Sequence, residues 1–453
     1  MSPQARRPLL IVILAAGQGT RMKSALPKVL HKIAGRSMLG HVLATAQALS
    51  PDALAVVIGP DMDTVRTQAL GQAPSARIFV QEDRRGTADA VLAAREVLAK
   101  HQGDVLVLYA DTPLMSADTL ARLLKRLDEA QIAVLGFEAA DPAGYGRLIP
   151  DKDGWLTAIR EEKDATEAER AIRLCNSGVM AFRTGDTAGL LARIDNKNAK
   201  GEFYLTDAVE IARKDGARAV AEGCEEAEVL GVNSRDQLAV AENIYQQRAR
   251  LAAMRDGATL IAPETVWFSY DTKLGRDVVV EPNVFFGPGV TVDDDVEIKA
   301  NCHFERAHIG RGGRIGPFAR LRPGAELARN VHVGNFVEVK NVRLGEGAKA
   351  NHLSYLGDGS VGAHANIGAG TIFCNYDGFN KSRTEIGDGA FIGSNTSLVA
   401  PVRIGAGAYI GSGSVITKDV APDALALERS TQEERPGWAS KFRALMGRRK
   451  KTG

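Results

Sequence analysis

Cysteine is scarce in this chain and scattered. Cys175, Cys224, Cys302 and Cys374 lie far apart and form no CxxC pair. This excludes a disulfide framework or a structural zinc cluster and suits a reducing compartment. Long apolar runs are missing too. The stretch LLIVILAAG after MSPQARRP is short and enters a Gly-rich loop, so it reads as a buried strand rather than a signal peptide. No stretch is long and apolar enough to span a membrane. An excess of one charge is also lacking. Lys and Arg number 57 against 55 Asp and Glu, a formal net charge of +2, which gives no global drive toward nucleic acid or membrane. The expectation is a soluble cytoplasmic protein. Its 453 residues exceed one core, so two domains are expected.

A six-residue rhythm is what the chain does have. From Leu274 to Ile416 a branched aliphatic recurs every six residues, usually followed by Gly, as in Ile309-Gly310, Ile315-Gly316, Val333-Gly334, Ile392-Gly393 and Ile410-Gly411. That period fits neither a helix nor an ordinary strand. It predicts a left-handed parallel β-helix, three hexapeptides to each triangular coil. The phase slips near Ile309, Leu344 and Val361. A larger break, Phe373–Lys381, must loop out of a coil and is a candidate functional element. After Arg429 the repeat is lost, and the basic tail reads as solvated and disordered.

The first half carries no such repeat. Apolar strands expected at Leu9–Leu14, Ala53–Ile58, Ile78–Gln81, Val105–Tyr109, Ala133–Phe137, Val179–Phe182 and Val229–Val232 alternate with helices around Met38–Leu49, Ala88–Lys100, Asp118–Glu129 and Asp207–Arg213. This is the pattern of an α/β, Rossmann-like domain with a mostly parallel sheet, which binds ligands beyond the carboxyl ends of its strands. The charged, Ala-rich stretch from Ser234 to Asp256 predicts a linking helix with Ser234 as its N-cap. The expected domains are therefore 1–233, a helical linker 234–256, and 257–453.

At the end of the first strand, Leu14-Ala15-Ala16-Gly17 runs into Gln-Gly-Thr-Arg21-Met and then Pro27-Lys28. Glycines let backbone amides approach a phosphate, and Arg21 and Lys28 add fixed positive charge. A lone GxG is usually only a turn. Together with Thr-Arg and Pro-Lys, and with Gln81, Gly86-Thr87, Tyr109-Ala110-Asp111, Gly144-Tyr145-Gly146-Arg147, Glu161, Asn176-Ser177-Gly178 and Gly231-Val232-Asn233, the segment resembles the sugar-nucleotide pyrophosphorylases. The nearest likeness is to uridylyltransferases acting on N-acetylglucosamine 1-phosphate. The resemblance implies that Leu14 to Gly17, Lys28, Gln81, Gly86, Thr87, Tyr109 and Ala110 hold the uridine nucleotide. It implies that Gly146, Glu161 and Asn176 hold the amino sugar, and that Asp111 and Asn233 ligate Mg²⁺. Arg21 and Lys28 would be the catalytic cations. Taken alone, Asp111 before Pro113 would serve as a helix N-cap, and Asn176 and Asn233 would be turn residues. Three positions depart from the pattern: Asp89 where His is frequent, Ala110 where Gly is usual, and Arg84-Arg85 where an apolar residue is common.

Residues that interrupt the hexapeptides form a second set: Arg320-Leu-Arg322, Gly334 to Lys340, Asn351-His352 to Tyr355, Asn366 to Thr371, and Cys374 to Lys381. These resemble the acetyltransferase half of the family of bifunctional N-acetylglucosamine-1-phosphate uridylyltransferase/glucosamine-1-phosphate N-acetyltransferases. With both halves the resemblance covers nearly the whole chain. It implies that His352 is the general base, a role suited to an imidazole whose ordinary pKa is about 6.5. It implies that Arg322, Lys340, Tyr355, Asn366 and Lys381 hold the acetyl acceptor. Ala369, Asn375, Tyr376, Ser394, Ser412 and Arg429 would contact acetyl-CoA, with Ser412 departing from an Ala seen in some members. Alone, His352 would read as a coil-corner histidine, since His303, His308, His332 and His364 share the repeat. Their spacing gives no metal pair.

The implied chemistry is two sequential reactions using acetyl-CoA and UTP, with glucosamine 1-phosphate and N-acetylglucosamine 1-phosphate as acceptors. In a bacterium it would feed peptidoglycan and outer-membrane lipid synthesis. A homotrimer is expected by the same resemblance, without nucleic acid or membrane insertion. Two alternatives stand beside it: a monofunctional pyrophosphorylase whose prism only oligomerises or regulates, and a non-catalytic assembly factor that keeps both folds.

Overall fold

Every residue of the strand Leu9–Leu14 is buried, as its unbroken aliphatic run requires of the centre of a sheet covered on both faces. In the computed structural model, which describes residues 7–449, this strand lies between Asp104–Tyr109 and Ala53–Ile58 and pairs parallel with both. Residues 1–6 and the tail residues 450–453 lie outside the described range. The strand order across the sheet is Ala219–Gly223, Ile132–Glu138, Leu174–Phe182, Asp104–Tyr109, Leu9–Leu14, Ala53–Ile58, Arg77–Val80. Leu174–Phe182 runs antiparallel to both neighbours, and the other pairings along this path are parallel. A hairpin, Arg147–Pro150 with Leu156–Arg160, joins the edge of Leu174–Phe182. The sheet is sandwiched between two apolar cores, one around Ile11, Val56 and Leu106, the other around Val12, Val57 and Val107.

Val229–Val232, expected as a strand, is instead a loop after the 3₁₀ turn Glu226–Glu228. Both valines are buried, which is what the alternation recorded. The Val232 amide, however, donates to the Asp111 carbonyl at 2.9 Å rather than to a ladder. The 88–100 helix is two helices, Thr87–Ala93 and Arg95–Lys100. The linking helix spans Arg235–Arg255, and the Leu238 amide bonds the Ser234 carbonyl. The chain divides into two compact units at Ala249/Arg250, inside this helix.

The second unit is a left-handed parallel β-helix. Val279 pairs with Glu297, Glu297 with Arg314 and Arg314 with His332, steps of 18, 17 and 18 residues. One inward column runs Val280, Ile298, Ile315, Val333, Ala350, Ile367, Ile392, Ile410, each stacked on the next and each buried. Each fully buried aliphatic of this kind contributes about 1.5–3 kcal/mol. Asn366 pairs with Phe391, a step of 25, so this coil carries the extra residues. They form the loop closed by the Tyr376–Lys381 bridge, with Phe379 at its exposed tip. The expected disorder of the tail is corrected for its described part: it is exposed, but Trp438–Arg449 is an α-helix.

Candidate functional sites

In the first unit, the end of Leu9–Leu14 opens into a cleft of about 240 Å³. Its lining includes Leu14, Ala15, Ala16, Gly17, Lys28, Gln81, Gly86, Thr87, Tyr109 and Asp111. The sequence singled out all ten, and the fold brings them together because the parallel strands Leu9–Leu14, Arg77–Val80 and Asp104–Tyr109 end here. Arg21 does not line this cleft; it is exposed in the 3₁₀ turn Thr20–Met22. Ala110 is fully buried, its amide donating to the Leu14 carbonyl at 3.0 Å, so a methyl group is accommodated where Gly is usual.

Lys28 is buried, and its Nζ donates to Asp111 Oδ2 at 2.5 Å and to Asn233 Oδ1 at 3.0 Å. Two hard oxygen donors thus face one cationic point, the arrangement a divalent ion needs. Asp111 caps no helix; the next one begins at Ala117 behind the N-cap Ser116. The Asn233 loop is held by its own amide, which donates to Gln237 Oε1 at 2.8 Å, and by the Val232–Asp111 backbone bond. No cluster of three or more His, Cys, Asp or Glu suited to a metal exists among the described residues, so the pair would rely on water or substrate oxygens for its remaining ligands.

Gln81 spends its amide nitrogen on the Gly86 carbonyl, at 3.1 Å, and on Asp89 Oδ2, at 3.0 Å. Asp89 also pairs with Arg85 at 2.8 Å. The unusual acid is therefore absorbed by neighbours, and the Gln81 oxygen is left to accept from a ligand. Gly86 has φ +131°, and a Cβ there would lie 2.6 Å from the Phe203 backbone nitrogen. Only glycine fits. Arg84, noted in the sequence only as a departure, proves to be a clamp. Its Nε donates to the Ala16 carbonyl at 2.7 Å and fixes the loop that would meet phosphates.

The remaining expected residues form a second cluster that meets the first at Tyr109. The Asn176 amide bonds the Gly146 carbonyl at 2.8 Å, and Asn176 Oδ1 accepts from the Gly178 amide at 3.0 Å, so the turn role of this residue is real and leaves its Nδ2 free to donate. Gly178 packs under the Tyr109 ring, where a Cβ would come within 3.0 Å. Burial, then the charge of Asp111, raises the Tyr109 phenol and keeps it neutral. Burial also raises the Glu161 carboxyl, opposed by Lys200. Glu161 borders a neighbouring pocket of about 460 Å³ with Tyr204 and Asp207, neither of which the sequence had flagged. Arg147 serves the core: it is buried and pairs with Glu162 at 2.7 Å.

In the second unit, His352 is exposed, and its Nδ1 lies 2.7 Å from Asn335 Oδ1 on the preceding coil. The coils approach closely here, since a Cβ on Gly334 would sit 2.6 Å from the Asn351 carbonyl carbon. With a carbonyl oxygen facing Nδ1, that nitrogen carries the proton and Nε2 presents a lone pair. Lys340, Asn341 and Asn375 surround Asp358 at 3.5, 2.8 and 2.5 Å. Burial works against ionising Asp358, but the hydrogen bonds from Asn341 and Asn375, with the charge of Lys340, together hold the carboxyl below its usual range. Lys381 meets Lys340, and that contact lowers the Lys381 pKa. Arg322 stands nearby, paired with Glu338 at 2.8 Å and within electrostatic range of Lys381. Three cations thus lie near one another beside two carboxylates, Asp358 and Glu338, an excess of positive charge that suits an anion. Tyr355 follows on the strand that also carries Asp358. Asn366 lies on the opposite sheet, paired with Lys349.

Four of the expected acetyl-CoA residues stack on successive coils. The Asn395 amide bonds the Ala369 carbonyl, the Ser394 amide bonds Ser412 Oγ at 3.2 Å, and Arg429 donates to the Ser412 carbonyl at 2.8 Å. The Ser412 hydroxyl is thus used between coils, which explains how it replaces Ala. Asn375 is separate, buried against Asp358, while Tyr376 is exposed on the loop.

Residues 11–175 match the family model of the MobA-like NTP transferase domain, and residues 383–418 match that of the bacterial transferase hexapeptide. A protein of Azorhizobium caulinodans named bifunctional protein GlmU is 62% identical over 447 residues, 98% of this chain and 100% of that one. Proteins of the same name from Paramagnetospirillum magneticum and Xanthobacter autotrophicus are 56% and 59% identical, each over 98% of this chain and 99% of the relative. No helix among the described residues is long and apolar enough to cross a membrane.

Proposed function

Because this chain belongs to the family of bifunctional GlmU proteins, we propose that it carries two activities, one in each unit. The second unit acetylates glucosamine 1-phosphate with acetyl-CoA. The first couples the product to UTP, giving UDP-N-acetylglucosamine and pyrophosphate. The domains run 1–233 and 257–453, with 234–256 as linker. The observation that carries this reading is that each unit holds its own coherent charged site, one around Lys28, Asp111 and Asn233, the other around His352, Lys340 and Lys381. A prism that only oligomerised would need none of the second set.

In the first unit, a sugar-phosphate oxygen attacks the α-phosphorus of UTP, and the bond to the β-phosphate oxygen breaks. No protein nucleophile is required; the residues align and neutralise. The Leu14–Gly17 loop receives the nucleotide, its Ala15 amide donating to the Val57 carbonyl at 2.7 Å and its Ala16 carbonyl held by Arg84. The Gln81 oxygen accepts from the imide N–H of uracil. Gly146, Glu161 and Asn176 seat the amino sugar. Asp111 and Asn233 would hold Mg²⁺, which supplies charge neutralisation on the triphosphate when bound. Lys28 and Arg21 add positive charge as pyrophosphate leaves.

In the second unit, Arg322, Lys340 and Lys381 receive the sugar phosphate, with Tyr355 and Asn366 completing the acceptor site. His352 Nε2 takes the proton from the sugar amine as it attacks the thioester carbonyl; the C–S bond breaks, and the leaving thiolate takes the proton from the imidazolium. Ala369, Ser394, Ser412 and Arg429 give coenzyme A a continuous edge, and Asn375 and Tyr376 approach from the loop. A homotrimer is supported by an exposed apolar column, Phe318, Phe336 and Leu353, the two Phe rings stacked at 5.2 Å and Leu353 adjoining His352. The same reading places the protein in the cytoplasm.

The test is a pair of assays on one preparation: thiol release from acetyl-CoA with glucosamine 1-phosphate, and pyrophosphate release from UTP with N-acetylglucosamine 1-phosphate. Both are expected. Pyrophosphate release without thiol release would favour the monofunctional alternative, and neither would favour the assembly factor.

A further inference from the structure

At one corner of the β-helix, three successive coils converge on a single carboxylate, Asp358, which lies outside the expected site residues. Asn341, Asp358 and Asn375 follow one another at steps of 17 residues. Asp358 Oδ1 accepts from Asn341 Nδ2 at 2.8 Å. Its Oδ2 accepts from Asn375 Nδ2 at 2.5 Å and from Lys340 Nζ at 3.5 Å. Asp358 and Asn375 are both buried.

The corner itself does not need the charge. Asn341 and Asp358 have φ of +50° and +53°, a left-handed conformation that Asn adopts as readily as Asp. Elsewhere in the same prism such a corner is neutral: Asn283 and Asn301, each at φ +61°, are joined by an amide–amide bond of 3.2 Å. An asparagine at 358 would continue that kind of ladder, its neighbours turning their amides to donate and accept in series. It would lack an acceptor-only group that draws three donors, one of them an ammonium, to one point. Two of those donors lead into the proposed site. Lys340 belongs to the acceptor set and meets Lys381. Asn375 is the root of the loop: its carbonyl accepts from the Ser382 amide at 2.9 Å, and Tyr376 and Lys381 bridge just inside that closure.

Resting on the acetyltransferase reading above, we propose that Asp358 is a positioning residue that sets Lys340 and the 376–381 loop in one arrangement, so that the acetyl-acceptor and acetyl-CoA sites form together. It acts through the donors it holds. The sign of its effect separates this role from mere charge. A carboxylate beside an anion site repels a sugar phosphate, so on charge alone Asp358→Asn would tighten the binding of glucosamine 1-phosphate. As a positioning residue its loss leaves Lys340 facing Lys381 without a counter-charge and slackens the root of the loop, so both substrates bind more weakly.

The test is steady-state acetyl transfer by the full-length parent and the Asp358→Asn variant, with KM measured for each substrate. Both KM values are expected to rise about fivefold or more, as loss of a hydrogen-bonded charge implies. The value of kcat should change by less than about threefold, because His352 and Asn335 keep their own bond, and the melting temperature should hold. An unchanged or lower KM for glucosamine 1-phosphate overturns the proposal, as does a rise confined to one substrate or a fall in kcat alone. A second variant decides the matter if Asp358→Asn does not fold. Asn375→Ala keeps the carboxylate but releases the loop, and should raise the KM for glucosamine 1-phosphate about threefold or more through Lys381; an effect on acetyl-CoA alone overturns the proposal. A parent without acetyl transfer overturns the acetyltransferase reading and the proposal with it, whereas parent-like constants in an active variant overturn the proposal alone.

Discussion

Lys28 Nζ lies 2.5 Å from Asp111 Oδ2, across 83 residues of sequence, and the same nitrogen reaches Asn233 at 3.0 Å. A lysine ammonium thus stands where the two oxygens would grip a divalent ion. A metal ion binding the pair must displace it. Lys28→Met should therefore bind Mn²⁺ about tenfold more tightly in the absence of nucleotide, since one competing positive charge is gone. Turnover in the pyrophosphate assay should fall in the same variant. Electron paramagnetic resonance of free Mn²⁺ measures the affinity; unchanged binding would show that the ammonium does not occupy the ion's place.

The His352–Asn335 bond at 2.7 Å yields a second expectation. If Asn335 fixes the proton on Nδ1, Asn335→Ala should reduce acetyl transfer about 10-fold, and His352→Ala about 10²–10⁴-fold. Neither should change pyrophosphate release by more than about twofold. A larger loss in Asn335→Ala than in His352→Ala would mean that the asparagine acts on substrate and not on the ring.

Asp207 gives a pH dependence. Burial, then Glu210, pushes its carboxyl up to about 6. A raised acid binds its proton more tightly when folded, so its contribution is complete below the unfolded pKa of about 4 and is lost as pH rises through about 6. Asp207→Asn should remove the penalty and stabilise the protein at pH 7 by about 1 kcal/mol, after discounting for solvent around a half-buried group. Near pH 4 the variant and the parent should melt alike. A stabilisation that persists unchanged at pH 4 would contradict this origin.

Gly86→Ala tests the backbone of the nucleotide cleft. The change places a methyl group against the Phe203 backbone at φ +131° and should cost about 2–4 kcal/mol of stability. Chemical denaturation would measure it. A loss below about 0.5 kcal/mol would mean that the Phe203 segment yields easily.

The prism was legible because its period is local: one inward aliphatic every six residues is visible in the string and recurs as the column from Val280 to Ile410. The cleft was legible because strand ends carry its residues in short motifs. What escaped depends on contacts distant in sequence. Arg84 looked like surface charge, and only the fold shows it holding a carbonyl 68 residues away. Val229–Val232 had the burial of a strand, yet its amide was already committed to Asp111. The hairpin Arg147–Pro150 with Leu156–Arg160 was hidden by its polar residues, and the buried Arg147 is satisfied only by Glu162 and nearby carbonyls. The tail helix was masked by its charge, which drew attention away from Trp438, Phe442 and Leu445.

The central claim is that two independent sites on one chain perform successive reactions. Mixing two inactive variants tests it most directly. Asp111→Ala should make N-acetylglucosamine 1-phosphate but not the nucleotide sugar, and His352→Ala should do neither step from glucosamine 1-phosphate. With acetyl-CoA, UTP and Mg²⁺ present, neither variant alone should yield UDP-N-acetylglucosamine, and an equimolar mixture should. A silent mixture of well-folded variants, or product from either variant alone, would contradict the account.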